Sequence, residues 1–562
     1  MAVLSAGLQG EIDRFMVQYD SPRETQARLL GSILKRNAGT LFGKEHSFAG
    51  IRNAADYQRQ VPIRQWAEIA PYIDQVVEGK PGVLTRETPF YYHHTTGTQG
   101  RRKMIPVTRR CEDLSKLTHR LWVLKALRDN PGLLKSGVMA VLNTAVDGYT
   151  RRREAYGAVS GNIYFRLPQI IRRAYCHPYD VFAVEEIDSR RYALMRFALD
   201  KECSFAFTGN PMGLVTAFDF ADRHSEILIR DIHDGKLAPE FPLPNALHAT
   251  ALNQLRPNPR RARLLEAGRR RTGRLCPSDY WPGLSLAGCW IGGSMGHFVP
   301  RLREWCAANI PFRDVGYMAS EGIFSIPQAN ETLDGLPALH AVFFEFLAEH
   351  DFGKPDAPAL LAHELEPGQN YHVVVTTTGG LYRYAMNDVI RVGGRQQATP
   401  LIRFLYKGGQ VQNLQGEMMT VEHVAAAMKT LDAESSFRLR HFQLVGELDR
   451  RGYALHIEPA ETLAPGELHR LLASFDRALI AANEIYGFLR ADRLLVPPRL
   501  SVMQKGWFDR IAADHMARSG RDSQFKPSVL VSTPEHPEMV EQSLDWPAED
   551  AAEWRAAGGA AG

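Results

Sequence analysis

Between Arg110 and Asp234 the sequence alternates between helical and strand periodicity, and that alternation restricts the chain to few architectures. Arg110 to Leu134 has helical spacing that stops at Asn130-Pro131-Gly132; 135–145 (KSGVMAVLNTA) reads as a buried strand. RRYALMRFALD is helical, CSFAFTGN is a strand, and 211–234 reads as one long amphipathic helix. Strands separated by helices indicate a parallel sheet covered by helices, so an α/β fold is expected. Residues 1–90 add helices with short links. Further strands follow at 286–295, 310–327, in HAVFFEFLAEHD, and as a pair in 370–394 joined at Thr378-Gly379-Gly380. A chain of 562 residues exceeds the roughly 250–300 residues at which single cores stop growing. The expected division is a large N-terminal domain over 1–405, a smaller α+β C-terminal domain over 406–545, and a disordered Ala/Gly-rich tail over 546–562.

Within this frame one stretch carries chemistry. Tyr91 to Thr108 reads YYHHTTGTQGRRKMIPVT, with Thr95-Thr96-Gly97-Thr98-Gln99-Gly100 at its centre and Lys103 just after the basic Arg101-Arg102. Glycines let backbone N–H groups close around an anion, hydroxyls add donors, and lysine adds a point charge. The stretch reads as a phosphate-gripping loop. It is not a Walker A loop, because position 102 would have to be glycine and is Arg102. It is not a dinucleotide fingerprint either, since the third glycine is missing. Tandem His93-His94 suggests a metal, but no partner cluster with ligand spacing accompanies it; a packing or substrate-pocket role suits one of them better.

Composition excludes several classes. The formal charge of +4 favours no polyanionic partner. Eight arginines crowd into 256–274, but without interleaved aromatics they read as a solvated helix face, not a nucleic-acid surface. The N-terminus lacks a basic n-region, and no apolar run reaches the ~18–20 residues that span a bilayer. The six cysteines are scattered without a C-x-x-C pair, which fits reduced thiols in a cytoplasmic protein and no zinc site.

Three more stretches stand in order behind the loop: YMASEG (Tyr317 to Gly322), GGLYRYAMNDVI (Gly379 to Ile390) and QFKP (Gln524 to Pro527). With TLFGKEHSFAGIRNAADYQRQVPI, EGKPGVLT and FLYKGGQVQNLQGE, they resemble, over roughly residues 30–530, the Gretchen-Hagen-three family of acyl acid amido synthetases within the acyl-adenylate-forming superfamily. The resemblance implies the adenylate-forming fold and two substrates besides ATP: a carboxylic acid and an amine, in the family often an amino acid. Together with the composition, the expected partners include no nucleic acid and no membrane. The resemblance places Thr95, Thr96, Gly97, Thr98 and Gly100 on phosphates and Lys103 near the departing pyrophosphate. Tyr317 would pack against adenine, with Ala319 also in the nucleotide-binding set, Ser320 would lie by the α-phosphate, and Glu321 would help hold Mg²⁺. Tyr382 and Lys407 fall within nucleotide-binding segments, Asp388 would take the ribose hydroxyls, and Lys526 would touch the carboxylate and α-phosphate. Read alone, Asp388 is equally a cap or turn residue, and Lys505 is a rival to Lys526.

Two stretches depart from the family pattern. Asn387-Asp388 stands where Gly-Asp is usual, and Gly416-Glu417-Met418 where Gly-Glu-Lys is usual. Lys407 also stands where arginine is common, and lysine cannot make arginine's bidentate contact. The resemblance implies adenylation of an acid followed by amide formation. Transfer to CoA, an alcohol or a carrier thiol is the alternative, and a non-catalytic nucleotide-binding homologue the third reading. Trp122, Tyr164, Phe165 and Trp290 are expected walls of a hydrophobic acid pocket.

Overall fold

The structure, a computed structural model, describes residues 2–95, 103–167, 169–352, 354, 357–408, 411–434, 437–519 and 527–546. It divides into two units, 1–404 and 405–562.

The first unit is built on two main sheets. One has four parallel strands in the order Gly137–Val141, Cys203–Thr208, Leu286–Cys289, Phe312–Asp314. Their burial is nearly continuous, as expected for strands covered on both faces. The helix Arg109–Asp129 precedes the first strand. Thr108 caps it by accepting from the Cys111 N–H at 3.3 Å, and Asn130 ends it. The other sheet has seven strands, with Val342–Ala348, Asn370–Thr377 and Tyr384–Gln396 antiparallel at its centre. A smaller four-stranded sheet holds the hairpin Tyr91–Thr95 and Lys103–Val107.

The N-terminal helices are tied to the far end of this unit. Gln26, on the helix Pro22–Asn37, is buried and donates to the Leu339 and Val342 carbonyls at 2.7 and 2.8 Å. Its side-chain oxygen accepts from the Phe344 N–H at 2.7 Å. The Thr399 hydroxyl donates to the Tyr19 carbonyl at 2.6 Å, 380 residues away in sequence. Buried polar groups must be paired in this way or cost roughly 1–3 kcal/mol each.

The 211–234 helix is two helices, Pro211–Arg223 and Ser225–Asp234. The break is His224 (φ −105, ψ 23), whose ring packs on Phe220 and Phe241. Tertiary packing overrides an amphipathic pattern that runs through it. The arginine-rich stretch forms Pro259–Thr272. Arg269, Arg270 and Arg271 pair with Glu226, Glu266 and Asp279. Arg261 is not solvated: it is buried and donates to the Leu199, Lys201 and Tyr280 carbonyls.

The second unit holds a five-stranded sheet whose core strands are Leu439–Glu447, Gly452–Pro459 and Arg499–Met503. The helix Pro465–Ala482 buries Leu468, Leu471, Leu472, Phe475 and Leu479, the spacing of one helical face. The helical pattern of 465–490 predicts a single helix, but the structure breaks it at Asn483, whose side chain accepts from the Tyr486 N–H and caps a second helix, Glu484–Ala491. Fully buried Glu458 accepts from the Gly506 and Phe508 N–H groups at 2.9 and 2.7 Å, fixing the loop in which Lys505 is exposed. Among the described residues no helix is long and apolar enough to cross a membrane.

Candidate functional site

The hairpin sets one side of the site. Thr95 pairs with Lys103, so the strands close at the two ends of 96–102. Thr96, Gly97, Thr98 and Gly100 lie outside the described residues, as does Lys526. The Lys103 ammonium donates to the Tyr384 hydroxyl at 3.3 Å and lies 5.2 Å above the Trp66 ring. Aromatic faces attract a cation and hold it on this side of the sheet.

His93 connects this hairpin to a second one. It is buried, and its Nδ1 lies 2.9 Å from the Ser320 carbonyl. A carbonyl only accepts, so Nδ1 carries the proton. Nε2 lies 3.2 Å from the Asn162 side-chain nitrogen, which donates to it. The neutral ring thus joins three chain segments. His94 bonds Asp147 at 2.6 Å. Among the described residues no group of three or more histidine, cysteine or acidic side chains could hold a metal ion.

Ser320 and Glu321 form the tip of a two-residue hairpin between Met318–Ala319 and Gly322–Ile323. The approach to it begins at the end of the parallel strand Phe312–Asp314. Asp314 is buried and accepts from the Ile291 N–H at 2.8 Å and the Gly316 N–H at 2.6 Å. Burial pushes its pKa up to about 6 against these two donors. Gly316 has φ +91, and a Cβ there would lie 2.4 Å from the Ser325 carbonyl oxygen, so only glycine fits. The next N–H, of Tyr317, donates to the Ser325 hydroxyl at 2.9 Å.

Tyr317 then meets Asp388. Its hydroxyl donates to Asp388 Oδ2 at 2.6 Å, and its ring stacks on Phe404 at 5.4 Å. Burial first, and then Asp388, hold the Tyr317 pKa well above its ordinary value, so it stays a donor. Asp388 reaches this position through a bulge. His372 pairs with Val389 and Val374 with Ala385, so two steps on one strand oppose four on the other. Asn387 lies inside the bulge at φ +56. This left-handed turn is why glycine suits the position, and asparagine is among the residues that tolerate it.

Tyr384, two residues beyond the predicted Tyr382, is the aromatic that belongs to the site. Burial raises its pKa, with Glu321 and Asp388 adding to the shift. Both carboxylates also act on Tyr317. Tyr317, Glu321, Tyr384, Asp388 and Lys103 therefore form one polar group, with half-buried Ala319 and buried Ser320 beside it. Tyr382 does not join them. It is fully buried, stacks on Phe42 at 4.7 Å and donates to the Leu84 carbonyl at 2.6 Å, which leaves it no face for a nucleotide. The two tyrosines part because Arg383, just before the strand Tyr384–Gln396, has φ +45 and turns the chain between them. Arg383 is locked there by Glu345 and by the Gln58 and Val61 carbonyls. Lys407 is an exposed residue of the second unit.

Of the expected acid-pocket residues, Trp122 is buried and donates to the Asp314 carbonyl at 2.9 Å, and Trp290 donates to the Gly316 carbonyl at 3.0 Å. Both indoles brace the segment leading to Tyr317. Tyr164 stacks on Tyr179 at 4.7 Å, with Phe165 against both.

This architecture is that of the adenylate-forming enzymes. A solved 2-hydroxyisobutyryl-CoA ligase, described in its postadenylation state with 2-HIB-AMP, matches with a TM-score of 0.51 at 11% identity, covering 95% of this chain and 92% of the ligase. An acyl acid amido synthetase, AtGH3.15 in complex with 2,4-DB, matches with a TM-score of 0.82 at 18% identity, covering 97% of this chain and 98% of that one. The chain belongs to the GH3 family: models of the GH3 family N-terminal, central and C-terminal domains match residues 11–311, 335–407 and 422–535. Among similar curated proteins is an indole-3-acetic acid-amido synthetase, GH3.8, of Oryza sativa subsp. indica. It is 24% identical over 575 residues, covering 95% of this chain and 92% of that protein.

Proposed function

We propose that this chain is an ATP-dependent acyl acid amido synthetase. A carboxylate oxygen of the acid attacks the α-phosphorus of ATP, and pyrophosphate leaves. An amine nitrogen, that of an amino acid, then attacks the acyl carbon; AMP leaves with the carboxylate oxygen and the nitrogen loses its proton. The observation that carries this reading is the Tyr317–Asp388 hydrogen bond beside the Ser320-Glu321 tip and Lys103, within a chain of this family.

The roles follow from charge and position. Lys103 offsets charge on the departing pyrophosphate together with Thr95, Thr96, Gly97, Thr98 and Gly100. Ser320 lies by the α-phosphate and Lys526 contacts the carboxylate and the α-phosphate. Asp388 accepts from the ribose, with Tyr317 at the adenine and Ala319 in the same nucleotide-binding segment. Lys407 belongs to the segment about which the second unit turns between half-reactions. Glu321 fits Mg²⁺ because this ion is commonly held by one or two carboxylates plus the substrate's own phosphates, without an all-protein cage. Bound there, the ion would spread phosphate charge. Six free thiols suit a cytoplasmic enzyme.

Acid-dependent pyrophosphate release, measured over a panel of hydrophobic acids with Mg²⁺-ATP, tests the reading. Release that no acid stimulates, from folded protein that binds ATP, would leave only a nucleotide-binding homologue. Product masses with amino acids and CoA offered separately decide between amide and thioester. Lys526→Ala is expected to abolish adenylation while Lys505→Ala retains it; the opposite ranking would reassign the lysine.

A further inference from the structure

A cavity of ≈ 250 Å³ opens between the helix Pro22–Asn37, the segment 85–87, the start of the helix Arg109–Asp129 and the turn at Thr378. None of its lining residues belongs to the site described above. Three of them are arginines, Arg36, Arg86 and Arg110, and one is an acid, Glu87. Three positive charges against one negative leave the lining at +2.

The arginines are poorly satisfied by the protein. Arg110 Nη2 donates to the Ser32 hydroxyl at 3.0 Å, but Arg110 Nε is buried with no hydrogen-bond partner among the described residues. Glu87 accepts the Arg110 backbone N–H at 3.2 Å, and its other oxygen is 3.8 Å from Arg36, at the outer limit of an ion pair. Arg86 bonds Asn37 through its backbone N–H at 3.0 Å, and its guanidinium has neither a hydrogen bond nor an ion pair among the described residues. Arg36 and Arg110 repel one another: after burial, Arg36 is the next cause lowering the Arg110 pKa. Guanidinium pairs brought together in this way are matched by bidentate oxyanions.

We propose that this cavity is a second anion site, which takes a phosphate dianion, free or as a small monoester. A carboxylate would neutralise half of the lining charge, whereas a phosphate monoester carries about −1.5 to −2 at neutral pH. The cavity is several times the roughly 30 Å³ share of a water molecule, with room for phosphate and a short substituent. Thr378 and Asn37 complete the polar part of the wall.

Calorimetric titration of the full chain with inorganic phosphate at constant ionic strength tests the site. The expected result is saturable binding that weakens at least tenfold in Arg110→Gln and about fivefold in Arg86→Gln, and is unchanged in Lys103→Gln. Arg86 is exposed, so Arg86→Gln carries the test if Arg110→Gln does not fold. Phenyl phosphate binding more tightly than phosphate supports a monoester occupant, and weaker binding supports the free ion. Heat that chloride reproduces at equal ionic strength, or binding lost in Lys103→Gln and kept in Arg86→Gln, would overturn the proposal. The readout is binding, so it fails or succeeds independently of pyrophosphate release.

Discussion

The two main sheets of the first unit supply the site in opposite ways. The parallel sheet contributes through regularity: its last strand ends at Asp314, two N–H groups fix that carboxyl, and the chain turns at Gly316 into Tyr317. The antiparallel sheet contributes through a fault, the bulge that carries Asn387 and Asp388. A regular strand end can be read from periodicity. A bulge cannot, because the residues that form it also form strands. Here the group proposed to bind the ribose is delivered by the irregular element and braced by the regular one.

Breaking the contact between the two sheets should give the largest effect. Asp388→Ala removes the acceptor of the Tyr317 hydroxyl, and acid-dependent pyrophosphate release should fall about 10²–10³-fold while the melting curve stays cooperative. Tyr317→Phe keeps the carboxylate and should lose far less; equal losses in the two would assign the effect to packing. The next largest effect is on the parallel sheet. His177 Nε2 accepts from the Ala140 N–H at 3.2 Å within that sheet's first strand, and burial lowers its pKa to about 4. The native state favours neutral imidazole, so this stability is present above the unfolded pKa near 6.5 and is lost as pH falls from there through about 4. The loss is about 3 kcal/mol at most. Thermal melts of wild type and His177→Gln over pH 4–7 should diverge at the neutral end and converge toward the acid end.

His93 gives a smaller and more selective effect. It joins the Tyr91–Thr95 strand to the Ser320 carbonyl, so His93→Ala should lower kcat about tenfold, the effect of roughly 1.4 kcal/mol, with less change in the KM for ATP. His93→Asn, which can still donate, should recover part of that loss. The smallest effect is expected within the bulge. Asn387→Gly relieves a left-handed non-glycine residue and should leave stability within about 0.5 kcal/mol, whereas Asn387→Val should cost about 1–2 kcal/mol. Equal stability of the two variants, measured by urea unfolding, would show that the bulge does not depend on that turn.

Much of this was legible in the sequence for a local reason. Caps and stops such as Thr108 and Asn130 act over a few residues, so helix Arg109–Asp129 follows from its own sequence. Ser320-Glu321 and Asp388 are likewise visible as short motifs, whereas residues 96–102 of the stretch read as a phosphate loop lie outside the described residues. What escaped depends on distant partners. His224 and Asn483 break helices through packing and capping that an amphipathic pattern does not reveal. Choosing Tyr384 over Tyr382 required knowing that Arg383 adopts positive φ, held by Glu345, Gln58 and Val61 from other elements. His93 stands out in the sequence as half of a tandem histidine pair, but its partners Asn162 and Ser320 lie 69 and 227 residues away.

The Gln26 clasp bears on how the chain is made. Its partners are 313 to 318 residues downstream, and the Tyr19–Thr399 link spans 380. On a ribosome adding 5–20 residues per second, the N-terminal helices wait roughly 15–80 s for the strands they pack against. Throughout that interval Leu29, Leu30, Ile33 and Leu34, all buried in the finished unit, have the early members of their core cluster, such as Phe42, Phe48 and Leu84, but lack its downstream members Phe343 and Tyr382. Synthesis of this protein should therefore rely on chaperones that hold nascent chains, with aggregation rising as translation outpaces them.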